Sequence, residues 1–156
     1  EEFEMKFSWK ISAGGNSGVF YHVVEGPAYK APYYTGPEYQ VIDQLGFAQP
    51  LEKWQSLAGD YAMYEPDYAG VVKPAGEWNH VLLTIDHNKN EGSVELNGTK
   101  IVEFPLRGEE WDSLVFNSKF NDDCNYKYFG KMKSGKIGLQ DHGNEVSFRN
   151  IKIRKL

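Results

Sequence analysis

A strict alternation of apolar and polar side chains opens the chain and limits how it can fold. Apolar residues stand at positions 3, 5, 7, 9 and 11, and polar residues at positions 4, 6, 8, 10 and 12. Because side chains alternate between two faces in an extended strand, this segment predicts a strand with one buried face and one face toward water. Aromatic residues, which favour strands over helices, make up 15% of the sequence. The chain is therefore expected to be built mainly from strands.

Further strand-like segments follow between turns rich in Gly and Pro. Residues 19–25 are apolar on both faces, which predicts a central strand covered on two sides. Residues 51–57 are expected to form at most one or two helical turns. The other predicted strands are Glu38 to Asp43, Trp78 to Asp86, Ser93 to Leu96, Thr99 to Val102, Trp111 to Phe116, Lys136 to Gln140 and Val146 to Arg154.

An Asn-Gly pair at positions 97 and 98 predicts a two-residue hairpin between two of these strands. In that register Val94 faces Ile101 and Glu95 faces Lys100. An apolar pair and an opposite-charge pair then lie on opposite faces, which supports the register independently of the turn.

About nine strands with regularly spaced turn signals predict an all-β fold, a two-sheet antiparallel β-sandwich, with residues 1–156 as one domain. In the last strand the apolar phase changes between Phe148 and Ile151. This change indicates either a bulge at Arg149 and Asn150 or a strand buried on both faces.

Charge and composition exclude several classes of function. The net charge is −5 and the 17 Lys and Arg residues are scattered, so the basic stripe of a nucleic-acid binder is missing and no nucleic-acid partner is expected. No apolar stretch approaches the roughly 18 residues of a membrane span. The single cysteine, Cys124, is interpreted as a loop thiol, because the neighbouring acidic residues at 122 and 123 oppose thiolate formation.

Candidate functional residues come from two distant strands. Glu38 and Gln40 are two residues apart, so one carboxylate and one amide share a face. Gln140 and His142 have the same spacing near the end of the chain. If the two faces coincide, they form a site with a carboxylate, an imidazole and two amides.

Two kinds of chemistry suit such a site. Glu38 or His142 could transfer a proton, or His142 could hold a divalent metal ion together with Asp43 and Glu38. Asp141, like Asp43, stands at a strand end nearby. The sequence requires no cofactor, and a divalent ion stays an option. The aromatic composition favours a sugar as ligand, because pyranose C–H faces pack on Tyr and Trp rings.

Several sequence blocks resemble the 3-keto-disaccharide hydrolase domain family. Six blocks occur in the family's order over nearly the whole chain, at residues 14–21, 37–43, 73–79, 96–98, 138–143 and 148–153. The resemblance implies a concanavalin-like jelly roll. It also implies an exported bacterial protein, periplasmic or at the cell surface, that acts on small oxidised sugars.

The resemblance also implies site residues. It places Glu38, His142 and Asp43 among the catalytic candidates. The positions expected to bind substrate are Asn16, Tyr21, His22, Gln40, Tyr61, Lys73, Trp78 and Gln140. The chain departs from the family in three places: the opening segment is absent, His22 replaces a common Arg, and Ala62 replaces an acidic residue.

The expected reaction follows from the ketone. A carbonyl at C3 acidifies the proton at C2, so a base such as Glu38 or His142 could remove it and expel the group at C1, with hydration completing a net hydrolysis. Three alternatives stay open: a glycosidase that uses a carboxylate pair, a carbohydrate-binding module without chemistry, and a partner-binding domain. The oligomeric state is not predicted.

Overall fold

The computed structural model describes residues 2–67, 70–121 and 125–156 as eight strands and one α-helix. Cys124, and with it the prediction of a loop thiol, lies outside the described residues. The strands are β1 (Phe3–Ile11), β2 (Asn16–Val23), β3 (Glu38–Ile42), β4 (Asn79–Asp86), β5 (Glu91–Leu96), β6 (Thr99–Phe104), β7 (Lys136–Leu139) and β8 (Val146–Lys155). The helix α1 spans Glu109–Phe116, and short 3₁₀ turns span Pro32–Tyr34 and Lys53–Gln55.

Two antiparallel sheets form a sandwich. The larger sheet has the strand order β6-β5-β4-β1-β8 and the smaller has the order β3-β2-β7. The chain crosses between the sheets four times, the alternation expected of a jelly roll. The prediction of a two-sheet antiparallel sandwich is confirmed, as is the central position of β2.

The core lies between the sheets and is rich in aromatic side chains. Trp9 of β1 donates its indole N–H to the hydroxyl of Tyr39 of β3 at 3.2 Å, and the ring of Phe7 meets Tyr39 edge to face with centroids 5.3 Å apart. Val19 and Tyr21 of β2 join the same cluster. By alternation, the opposite face of β2 carries Gly18, and this face of the smaller sheet points away from the core.

The predicted strand at 111–116 is wrong, because this segment forms α1. Trp111, Leu114 and Val115 pack into one cluster, and their spacing of three and four residues is that of a helix. Three acidic residues in the first turn, at 109, 110 and 112, face the positive end of the helix dipole and stabilise it.

The hairpin is confirmed, with one change of register. Glu95 lies opposite Lys100 as predicted, but Val94 lies opposite Val102 rather than Ile101, since a bulge follows Val94. In β8 the predicted bulge is confirmed: the pairing with β1 shifts there, and Asn150 has a φ of 56°. The alternative of burial on both faces is wrong, because most of β8 is exposed.

Candidate functional site

A cavity of about 330 Å³ opens on the outer face of the smaller sheet. This volume lies at the lower end of the range of small-molecule sites. Glu38 and Gln40 reach the cavity from β3, and Gln140 and His142 reach it from the segment that follows β7. The residues that line the cavity are Asn16, Tyr33, Glu38, Gln40, Tyr61, Lys119, Phe120, Tyr126, Gln140 and His142. The structure thus brings together the two pairs that the sequence singled out.

Strand pairing explains why these side chains meet. Strand β2 lies between β3 and β7. On one side of β2, Gly18 is paired with Gln40. On the other side, the carbonyl of Gly18 accepts a hydrogen bond from the backbone amide of Gln140 at 2.9 Å. The hydroxyl of Ser17 also donates to the carbonyl of Gln140 at 2.7 Å. Polar residues about 100 positions apart in sequence therefore flank the same central strand.

Gly18 makes room for the carboxyl group of Glu38. A Cβ atom at this position would lie 1.8 Å from Oε1 of Glu38 and 2.6 Å from its Cδ. No side chain larger than hydrogen fits there unless the carboxyl group moves. The carboxyl group therefore lies directly over Gly18, where it lines the cavity.

Burial raises the pKa of Glu38 to about 8. The nearby Lys119 ammonium lowers this pKa in part, and the Asp60 carboxyl raises it. A carboxyl group with a pKa near the working pH can both take up and release a proton. Its position and its acidity make Glu38 the strongest candidate base of the site.

Three oxygen atoms at the cavity are buried and have no hydrogen-bond partner among the described residues. They are Oδ1 of Asn16, Oε1 of Glu38 and Oε1 of Gln140. Leaving a buried acceptor unpaired costs about 1–3 kcal/mol. A ligand with several hydroxyl donors would satisfy these atoms.

Asp60 lies behind Glu38 and is fully buried in the protein. The hydroxyl of Tyr21 donates to its carboxyl group at 3.2 Å, and burial raises the pKa of Asp60 to about 8. The backbone around Asp60 runs along β3, where the amide of Tyr61 donates to the carbonyl of Glu38 at 2.9 Å. This pairing holds Tyr61 beside Glu38 at the cavity.

Aromatic rings and one lysine form the walls. The Nζ atom of Lys119 lies 4.4 Å from the ring centroid of Tyr61 and 3.2 Å from its hydroxyl oxygen. Tyr126 packs against Phe120 edge to face, with centroids 5.2 Å apart, and lies 6.4 Å from the ring of Tyr33. Lys119, Phe120 and Tyr126 were not predicted as site residues from the sequence. Their segment reads as a short strand and polar loop, and only its aromatic content pointed toward the site.

Asp43 lies elsewhere, at the turn after β3. Its Oδ2 accepts from the amide of Gly14 at 2.9 Å and its Oδ1 accepts from the amide of Gly46 at 3.1 Å. Asp43 therefore ties two turns together and is not among the cavity-lining residues. Within residues 2–67, 70–121 and 125–156, no three His, Cys, Asp or Glu residues are grouped to hold a metal ion. The proposed set of His142, Asp43 and Glu38 does not fit a shared ion.

Four predicted binding residues also lie outside the cavity lining. The hydroxyl of Tyr21 donates to the carboxyl group of Asp60. His22 lines a different cavity, and its ring stacks on that of His87 with centroids 5.0 Å apart. The other two make contacts away from the cavity lining. The backbone amide of Lys73 donates to Oδ1 of Asn79 at 3.0 Å, and the ring centroid of Trp78 lies 3.8 Å from the guanidinium carbon of Arg149. Of the predicted binding set, Asn16, Gln40, Tyr61 and Gln140 line the cavity.

Fold and cavity together define a β-sandwich with a polar, aromatic-walled pocket on its smaller sheet. The chain belongs to the 3-keto-alpha-glucoside-1,2-lyase-like domain family, whose model matches residues 1–154. The resemblance inferred from the sequence blocks is therefore confirmed.

Individual relatives agree with this assignment. A 3-keto-disaccharide hydrolase from Bacteroides thetaiotaomicron is 31% identical over 178 aligned residues, covering 100% of this chain and 59% of that protein. The chain thus spans about three fifths of this relative's length. A crystal structure of a candidate glycosyl hydrolase from Parabacteroides distasonis has a TM-score of 0.88 and 40% identity, covering 99% of this chain and 70% of that one. Another from the same organism, with a TM-score of 0.70 and 21% identity over 100% of this chain and 79% of that one, supports the fold alone.

Proposed function

We propose that this chain cleaves the glycosidic bond of 3-keto-glycosides by elimination between C1 and C2, and that hydration of the enone completes a net hydrolysis. The observation that supports this proposal most is the buried carboxyl group of Glu38, which shares one cavity with unpaired amide oxygens. The family and the printed name of the Bacteroides relative support the same class of substrate.

The unpaired oxygens suit a sugar. Oδ1 of Asn16 and Oε1 of Gln140 would accept hydrogen bonds from ring hydroxyls, and the surrounding aromatic rings would pack on the C–H faces of the sugar. The cavity volume of about 330 Å³ accommodates one pyranose ring. A keto-sugar bound there would lie directly over Glu38.

Glu38 would act as the base. Its carboxylate takes the proton from C2, the C–H electron pair forms the C1–C2 double bond, and the C1–O bond breaks. The departing oxygen keeps the electron pair of that bond and takes a proton from solvent. While the C2 proton is in transfer, negative charge develops on the C3 oxygen, where the His142 ring would donate a hydrogen bond.

The pKa of Glu38 determines the expected pH dependence. Since the base acts in its ionised form and the pKa is about 8, kcat/KM should rise with pH up to about 8. At pH 6 about 1% of the carboxyl groups are ionised, so kcat/KM there should be about 100-fold below its plateau above pH 8.

A Glu38→Gln variant tests the role of the base. We expect at least a thousandfold loss of kcat/KM on methyl 3-keto-glucoside, and a smaller loss for His142→Ala. Glu103→Gln, on the exposed part of β6, is the matched control and should keep wild-type activity. Reaction in D₂O should place deuterium at C2 of the product. Full activity of Glu38→Gln, or product without deuterium at C2, would contradict the mechanism.

A binding module without chemistry is the second candidate. The aromatic walls and unpaired amides would serve binding equally well. Wild-type protein that binds a 3-keto-glycoside but releases no product, with or without added Mg²⁺ or Ca²⁺, would favour this candidate. Faster turnover with either ion would support the option of a divalent cofactor.

We also propose an extracytoplasmic location, which rests on the family resemblance. The helices in the described part of the chain are too short or too polar to span a bilayer. Fractionation of the producing cells tests the location, and recovery of the protein in the cytoplasm would contradict it.

A further inference from the structure

A second cavity, of about 240 Å³, lies beside the first. Lys119 lines both cavities, so they share a wall. The other residues that line the second cavity are Trp54, Ala62, Leu114, Asn117 and Ser118. None of these five was used in the mechanism above.

The shared wall consists of side chains held in place by their contacts. The Nζ atom of Lys119 lies near two rings, 4.4 Å from the centroid of Tyr61 and 6.0 Å from that of Trp54. Those two rings meet edge to face, with centroids 5.5 Å apart. Tyr61 faces the first cavity and Trp54 the second, so the two rings and the lysine mark the boundary between them.

The two cavities differ in chemistry. The first presents unpaired amide and carboxyl oxygens, which suit a hydroxyl-rich ring. The second presents the indole of Trp54, which is 45% exposed, together with Ala62 and Leu114 and a polar rim of Asn117 and Ser118. An apolar surface with polar groups at its rim suits a ring with one apolar face.

Contacts within the fold hold the walls of the second cavity in place. The amide of Ala62 donates to the carbonyl of Trp54 at 3.0 Å, which ties the 3₁₀ turn at Lys53–Gln55 to the turn that carries Tyr61. On the other side, Leu114 belongs to α1 and packs in the cluster around Trp111. Both walls of the second cavity are therefore anchored to regular elements.

We propose that the second cavity holds the group attached through C1 of the keto-sugar, and that Trp54 is the platform for its ring. This inference rests on the proposed function, because an elimination at C1 requires the departing group to lie next to the sugar bound over Glu38. The substrates are then 3-keto-glycosides whose departing group contains a ring with an apolar face, either an aryl group or a second sugar.

Three substrates distinguish an aryl departing group from a second sugar: methyl 3-keto-glucoside, phenyl 3-keto-glucoside and a 3-keto-disaccharide. Trp54→Ala should lower kcat/KM about tenfold for the substrates whose ring fills the second cavity, and change it less than twofold for the methyl glycoside. A loss confined to the phenyl glycoside identifies an aryl group, and a loss confined to the disaccharide identifies a sugar. Trp78→Ala, which removes an indole that lines neither cavity, is the matched control and should affect none of them.

An equal effect of Trp54→Ala on all three substrates, or no effect on any, would overturn the subsite. If the wild type cleaves none of the three substrates, the proposed function is wrong. Binding affinities measured by calorimetry then test the subsite independently. In that case the phenyl glycoside or the disaccharide should bind about tenfold more tightly than the methyl glycoside, and Trp54→Ala should remove that difference. Equal affinities, or no binding at all, would overturn the subsite as well.

Discussion

Replacing Gly18 with alanine should remove activity and leave the fold intact. The new Cβ would lie 1.8 Å from Oε1 of Glu38, whereas ordinary contact begins at 3.4 Å, so the carboxyl oxygen must move by about 1.6 Å. The Cγ and Cδ atoms of Glu38 lie 2.8 and 2.6 Å from the same point, so the whole side chain must swing away. A misplacement of about 1 Å at a reacting group costs on the order of 100-fold in rate.

The stability of the variant should change little. Gly18 lies in β2 without a positive φ, and an alanine in a strand interior is tolerated at least as well as glycine. We therefore expect kcat/KM on a 3-keto-glycoside to fall by at least 100-fold, with the free energy of unfolding within about 1 kcal/mol of wild type.

Gly138→Ala is the matched control. Gly138 lies in β7 next to β2, and a Cβ there would meet only the Phe20 side chain, at an ordinary 3.6 Å. Steady-state kinetics and chemical denaturation of both variants decide the case. If Gly18→Ala keeps activity within threefold of Gly138→Ala, the placement of the Glu38 carboxyl group is not what the reaction needs.

Two further predictions concern stability. The folded-state pKa of Asp60, about 8 against 3.8 for the free group, means that its stabilising contribution is complete below pH 4 and is lost as pH rises toward 8. At 1.36 kcal/mol per pKa unit, the difference between 3.8 and 8 corresponds to a loss of about 6 kcal/mol. Asp60→Asn should therefore flatten the fall in unfolding free energy between pH 5 and 8, measured by urea denaturation; an unchanged slope would contradict the assignment. Gly130→Ala should cost about 2–3 kcal/mol, because a Cβ there would lie 2.3 Å from Cζ2 of Trp111 at a φ of 66°. Gly143→Ala, with a φ of 81° and open space, should cost only about 1 kcal/mol, and equal losses in the two variants would refute the clash.

Local sequence patterns predicted much of the fold. The alternation over residues 3–12 predicts a strand, and the Asn-Gly pair at 97 and 98 predicts a hairpin turn. Each pattern is complete within a few residues, and both predictions are confirmed. Residues 111–116 were assigned to a strand, because over six residues an aromatic and aliphatic composition outweighed the helical spacing of Trp111, Leu114 and Val115. The packing of these residues on Phe120 and Phe129 decided the outcome.

For the site as well, local sequence patterns predicted one part and the tertiary structure decided the other. Alternation alone predicted that Glu38 lies with Gln40 and Gln140 with His142, because the members of each pair are two residues apart in the chain. The pairing of β2 with both β3 and β7 brought the two pairs to one cavity. Lys119 enters from a loop with no periodic pattern, so no local signal could place it there.

By itself, the sequence determined most of the strands, the Asn-Gly turn at positions 97 and 98, and which polar groups share a face, since these properties depend on neighbours in the chain. Only the tertiary structure decided that Asp43 ties two turns together while Glu38 lies over Gly18 at the cavity. It also decided the acidity of Glu38, because burial and the charges of Lys119 and Asp60 act through space and not along the chain.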